Sequence, residues 1–199
     1  MARTTTTRSR ISTRNLALLA LTTAFTGATG CAGYRTTPEA QSNWPGGHPN
    51  VSSVEESTTA ALKWAVQRVP PPDYKGSGGQ FAISPPHGLR QSRYLRMVAD
   101  LGPDAYPVTI DSEHLPTYYV GSVVVRGSFA TIDIHCPVLD RYGDLAFKPY
   151  TIELEGGVTP WRVDNIRAWQ IGATQPPAKY YLPATDEHVV TEAAPAEGA

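Results

Sequence analysis

The chain has 199 residues, with 17 Lys and Arg, 18 Asp and Glu, and five His. Four arginines lie in the first 14 residues, so the remaining chain carries 13 basic against 18 acidic side chains and is near −5. This balance argues against nucleic acid as a partner, and about 120 residues between the flanking Pro- and Gly-rich stretches suffice for one domain.

The first 30 residues have the composition of an export signal. Residues 16–25 form an apolar stretch too short to span a bilayer by itself. The positive charge ahead of it comes from Arg3, Arg8, Arg10 and Arg14. Residues 28–31, Ala-Thr-Gly-Cys, resemble the lipobox of bacterial lipoproteins, with Ala28 where leucine is usual.

This resemblance implies that residues 1–30 are a signal peptide and that Cys31 carries a covalent lipid with acyl chains such as palmitate. We expect no other cofactor and no metal, and we expect the lipid to anchor the protein to a membrane of the cell envelope. By resemblance to Gram-negative sorting, Ala32 favours the outer membrane, facing the periplasm. The alternative is an ordinary secretory peptide cleaved nearby, or an uncleaved anchor.

Residues 31–52 are predicted to be the lipidated cysteine and a flexible tether, because they are rich in Gly, Pro, Thr, Asn and Ser. A random coil of this length would hold the domain about 25 Å from the lipid. The single globular domain is predicted over residues 53–172.

Two helices are predicted at the start of the domain. Residues 53–56, Ser-Val-Glu-Glu, have the form of a capping box, which predicts a helix from Ser53 to the proline run at Pro70. Its buried stripe is Val54, Ala61, Leu62, Ala65, Val66 and Val69. Apolar spacing from Leu89 to Leu101 predicts the second helix, ending at Gly102.

From Pro116 the apolar period changes from helical to two, which predicts strands. Two hairpins turn at Gly127 and Gly156, so the predicted class is α+β, with one or two N-terminal helices packed on a four-stranded antiparallel meander. The order of elements and the strand over residues 161–166 resemble the NTF2-like (SnoaL-type) fold. This resemblance implies a cone with a pocket.

Asp133 and His135 are the candidate catalytic pair, because residues two apart on a strand share a face and a carboxylate can orient an imidazole. The alternative is the polar side of a half-exposed strand. Cys136 points to the opposite face and is expected to be a buried thiol. If a pocket lies between helix and sheet, we expect it to be lined by Tyr118, Tyr119, Trp161 and Trp169.

Hydrolase and metal motifs are missing from the sequence, which favours a protein that is not an enzyme. We therefore expect a membrane-anchored envelope lipoprotein that displays a small non-catalytic domain to bind an envelope protein or assist assembly. The alternative is a small-molecule binding or catalytic NTF2-like pocket. Residues 173–199 are expected to be a largely disordered tail, with an aromatic patch at 179–183 that docks on the domain or on a partner.

Overall fold

The structure is a computed structural model that describes the backbone of residues 34–36 and all of residues 49–184. The predicted signal peptide and Cys31 lie outside the described residues, as do residues 185–199. The elements in chain order are β1 (Tyr34–Thr36), α1 (Ser52–Arg68), β2 (Phe81–Ser84), α2 (Gln91–Leu101), β3 (Ala105–Pro107), β4 (Thr117–Arg126), β5 (Phe129–Leu139), β6 (Leu145–Glu155) and β7 (Arg162–Ala168).

The strands form one mixed sheet, in the order β3-β2-β4-β5-β6-β7, with β1 paired separately to β4. Strands β4 to β7 pair antiparallel, whereas β2 is parallel to both β3 and β4. The α+β class is confirmed. A sheet of four antiparallel strands is incomplete, because three short strands join it and two of them have parallel partners. These short strands have too few residues for a period of two to reveal them.

Helix α1 begins one residue before the predicted start, and Val51 occupies its N-cap position. The capping box is therefore wrong: Glu56 is exposed, while Glu55 is buried and forms ion pairs with Arg93 and Arg96 of α2. Helix α2 lies between β2 and β3 in the chain, so it is a crossover between parallel strands rather than part of a helical N-terminus. Neither helix in the described part of the chain is long and apolar enough to cross a bilayer.

The core lies between the helices and one face of the sheet. From β5, every second side chain enters this core: Ala130, Ile132, Ile134 and Cys136. Helix α1 packs on them with four buried apolar side chains of its predicted stripe, Val54, Ala61, Leu62 and Ala65. The Trp64 ring covers the edge of this core and meets the Tyr150 ring edge-on at 5.6 Å. Helix and sheet are thus in direct contact across this layer.

Strand β1 lies inside the segment that was predicted to be a tether. It pairs antiparallel with β4, placing Tyr34 opposite Val125 and Thr36 opposite Val123. The flexible-tether interpretation is therefore wrong for residues 34–36, because a hydrogen-bonded strand has a fixed place in the sheet. Polar composition missed it because strand β1 is only three residues long.

The aromatic patch after the last strand packs on the domain itself. The Tyr180 hydroxyl donates to the Leu89 carbonyl at 2.8 Å, and its ring stacks on Tyr94. The Leu182 amide donates to the Val108 carbonyl at 2.9 Å. Docking of this patch on the domain, one of its two expected places, is therefore confirmed. The domain extends past the predicted end at residue 172, because Leu182 still contacts it.

Gly156 is required by the packing of the loop between β6 and β7. A Cβ at this position would lie 2.7 Å from the Trp161 Cα and 2.9 Å from its Cδ2. We expect Gly156→Ala to lower the free energy of unfolding by about 1–3 kcal/mol, because backbone must move to relieve the overlap. Denaturant unfolding measures this change.

Gly121→Ala is the matched control, since its new Cβ would meet its nearest neighbour at an ordinary 3.5 Å. Equal stabilities of the two variants would contradict this account of the loop.

Candidate functional site

A pocket of about 380 Å³ lies on the face of the sheet opposite the helices. Asp133 and His135 form its floor, because they alternate along β5 with the residues that enter the core and so lie on the other face of the sheet. The pairing of β4 with β5 shifts between Val120 and Val123, and this irregularity places Gly121 and Ser122 in the wall. The remaining wall is made by Pro149, Thr151, Trp169, Thr174, Gln175 and Pro177. Tyr150 also lines the pocket, although its ring packs against Trp64 on the helix side.

A hydrogen-bonded network fixes the polar side of this pocket. Asp133 accepts two hydroxyl hydrogen bonds, from Ser122 Oγ to Oδ2 at 2.5 Å and from Thr151 Oγ1 to Oδ1 at 2.6 Å. The Thr151 hydroxyl accepts in turn from Trp169 Nε1 at 3.1 Å. The network therefore holds the carboxylate and the indole ring in one arrangement. Such a wall is organised before any ligand arrives.

His135 differs from this network because its hydrogen-bonding capacity is unused. The residue is only 6% exposed, and its Nδ1 is buried with no hydrogen-bond partner among the described residues. Burial lowers the pKa of the imidazole, an effect that the nearby Asp133 charge partly opposes. The ring is therefore neutral at pH 7. A buried nitrogen without a partner costs about 1–3 kcal/mol, so a group that bonds to this ring would recover stability.

Both members of the candidate catalytic pair, Asp133 and His135, line this pocket, together with one of the four predicted lining residues, Trp169. Tyr118 and Trp161 do not, because both belong to the core on the helix side. The Tyr118 hydroxyl donates to the Val69 carbonyl at 2.6 Å. Tyr119 is paired opposite His135 but packs its ring edge-on against Phe147 at 5.3 Å.

The described pocket does not lie at the expected place between helix and sheet. The buried core side chains lie in that layer. The pocket instead uses the other face of the same strands, where residues 174–177 and Trp169 cover part of the sheet.

The expected acid/base pair is not assembled either. Both Asp133 oxygens are occupied by Ser122 and Thr151, and neither accepts from His135 in the described structure. Cys136 lies in the core, and burial raises the pKa of its thiol to about 12. A thiol with this pKa stays protonated at neutral pH and is a poor nucleophile. The arrangement suits binding better than proton transfer.

Sequence reasoning missed Ser122, Thr151 and Gln175. Thr151 could have been found, because the hairpin register that pairs Phe129 with Glu155 also pairs Asp133 with Thr151. Ser122 depends on the irregularity in β4, and Gly121 inside the strand was the signal that could have indicated it. Gln175 comes from a segment that composition assigned to the tail. Within residues 49–184, no group of three or more His, Cys, Asp or Glu is placed to hold a metal ion.

Comparison with protein-family models, curated proteins and solved structures finds no match to this chain.

Proposed function

We propose that this chain is an exported lipoprotein, anchored to an envelope membrane through Cys31, whose domain binds a small polar ligand without catalysing a reaction. The arginine-rich leader and the lipobox-like residues 28–31 support the anchor. The pocket on the open face of the sheet supports the binding function.

The observation that carries the binding function is the unpartnered His135 beside a fixed polar network. The Nδ1 atom of its neutral imidazole can donate or accept one hydrogen bond with a ligand, depending on the tautomer. The Ser122, Asp133 and Thr151 network keeps the adjacent wall rigid. Pocket volumes for small molecules are about 300–1,000 Å³, so this pocket fits a ligand at the lower end of that range. Trp169 adds an aromatic surface to the same wall.

Native mass spectrometry of the full-length protein, extracted in mild detergent from its own membranes, tests both parts of the proposal. We expect an acylated chain that begins at Cys31 and retains a small-molecule mass. We expect His135→Ala to lose this mass with a nearly unchanged melting temperature. The packing lost with the ring is offset by removal of a buried nitrogen that has no hydrogen-bond partner among the described residues.

His114→Ala is the matched control, because this histidine is exposed and lies outside the pocket lining. Gly121→Ala adds a methyl group 3.5 Å from His135 Nε2 and should also weaken retention of the mass. Normal retention by His135→Ala would contradict the pocket. A mass without acyl groups would contradict the anchor.

The edge of the sheet supports a second candidate, the display of the domain to an envelope protein. Strand β7 ends the sheet, and its outer edge faces no other described strand. Ile166, Trp169 and Ile171 are exposed along this edge or just beyond it. An edge of this kind can accept a strand from a partner. A stoichiometric protein in the same spectrum, with no small-molecule mass, would favour this candidate.

A further inference from the structure

Two turns meet at one end of the sheet and form a single surface, here called the tip (residues 126–129 and 156–160). Phe129 pairs with Glu155 between β5 and β6, so the turn before β5 and the turn after β6 lie side by side at the same end of the sheet. The Gly156 amide donates to the Ser128 carbonyl at 2.8 Å. A Cβ on Gly157 would lie 3.7 Å from the Gly127 carbonyl oxygen. The two turns therefore stand together.

The tip presents two apolar side chains to solvent. Phe129 is 62% exposed, and Val158 is fully exposed. Four exposed charged residues flank them, two of each sign: Arg126, Arg162, Glu155 and Asp164. Because these charges balance, the surface has no electrostatic preference for an anionic partner. The exposed Phe129 and Val158 side chains offer apolar contact to an occupant.

Strand β1 brings the N-terminal part of the chain to this same end. It runs antiparallel to β4 with Tyr34 opposite Val125, so the residues before Tyr34 enter the sheet from the end at which β4 finishes. Cys31 precedes Tyr34 by three residues, which limits the distance between their Cα atoms to about 11 Å in any conformation.

The opposite end of the sheet is much farther from this point. Strand β5 has 11 residues between Phe129 and Leu139, a length of about 35 Å. The turn around Tyr142 follows that far end. An acyl chain on Cys31 enters lipid, so the bilayer surface must lie close to the tip and far from Tyr142.

We infer that the tip rests in the interface of the membrane that holds Cys31, with the Phe129 and Val158 side chains inserted among the lipids. This inference rests on the proposed anchor at Cys31. Transfer of apolar side chains from water into this layer is favourable in free energy, and the balanced charges can remain at its aqueous boundary. Asp133 and His135 lie four and six residues along β5 from Phe129, so the pocket stands about 13–20 Å above the tip.

Fluorescent labels at two engineered cysteines test this orientation. Val158→Cys places an environment-sensitive label at the tip, and Tyr142→Cys places it at the far end, where the native side chain is 72% exposed. Native Cys136 is buried and does not compete for the label. Both replaced side chains are exposed, so neither change removes core packing.

The acylated proteins are reconstituted into phosphatidylcholine vesicles, with and without phosphatidylglycerol. We expect the label at 158 to shift to shorter wavelength and to be quenched by nitroxides attached to the lipid acyl chains. We expect the label at 142 to show neither change. Since the tip charges balance, the result should be the same in neutral and anionic vesicles.

The intact mass of each protein separates the two ways in which the inference can fail. An acylated protein whose label at 158 behaves like the label at 142 would overturn the tip contact and leave the anchor standing. A protein that carries no acyl group in its native membrane would overturn the anchor, and the tip inference with it.

Discussion

Tyr94→Phe is expected to lower the free energy of unfolding by about 2 kcal/mol, the cost of leaving a buried amide without its acceptor. The Tyr94 side chain is completely buried, and its hydroxyl accepts from the Val108 amide at 2.9 Å. The same hydroxyl donates to the Ile83 carbonyl. Phenylalanine keeps the ring packed against Tyr180 but removes these two hydrogen bonds and a longer one, at 3.3 Å, to the Tyr180 carbonyl. Strand β2 and the residue that follows β3 thereby lose a shared hydrogen-bonding partner.

Denaturant unfolding of the full-length protein measures this effect, and Tyr142→Phe is the matched control. Tyr142 is exposed, so loss of its hydroxyl should change stability by less than about 0.5 kcal/mol. If Tyr94→Phe were equally neutral, the hydroxyl would not carry the link between the strands.

Stability is expected to fall as the pH rises above 9, with Cys136 responsible for the first part of the loss. Burial raises the pKa of this thiol from its ordinary value of 9.0 to about 12. Between these values the unfolded chain releases the thiol proton and the folded chain keeps it, so increasing pH favours unfolding. At about 1.4 kcal/mol per pH unit, the full window costs about 4 kcal/mol.

Buried tyrosines extend the loss to higher pH. Burial raises the pKa of Tyr94 and of Tyr118 above the ordinary value of 10.0, so both add to the decline once the unfolded chain begins to ionise them. The contribution of the Cys136 thiol to the loss of stability is therefore best measured between pH 9 and 10, before the tyrosines contribute.

Unfolding free energies measured at half-unit steps from pH 8 to 11 check this expectation. Cys136→Ala should be less stable than the natural protein at pH 8, because it leaves a small cavity, but should lose less stability between pH 9 and 10. Parallel pH profiles for the two proteins would contradict the role of the thiol.

The parts of the fold that could be predicted are those in which a repeating apolar pattern spans enough residues. Strand β5 alternates apolar and polar residues from Ala130 to Cys136, so the two faces of this part of the strand follow from the sequence. Helix α2 ends at Gly102, as the Gly-Pro pair predicts. Strands β1, β2 and β3 have three or four residues each, and their places in the sheet depend on contacts distant in sequence.

The candidate site was only half accessible to sequence reasoning, for a related reason. Asp133 and His135 follow from alternation, whereas the face occupied by Tyr118 and Trp161 depends on how helix and sheet pack. An aromatic side chain fits a core as well as a pocket wall. The network around Asp133 required the register of β5 against β6, from which Thr151 could have been found, and the shift within β4, which only the single Gly121 indicates.

The docking of Tyr180 has a consequence for the time at which this domain can finish folding. Its hydroxyl contacts Leu89, 91 positions earlier, and its carbonyl contacts Tyr94, 86 positions earlier. Contacts of such long sequence separation make folding slow. In the proposed exported protein, which crosses its membrane N-terminus first, these contacts cannot form until Tyr180 itself has emerged. Helix α2 therefore gains its contact with Tyr180 only after the chain has crossed the membrane as far as that residue.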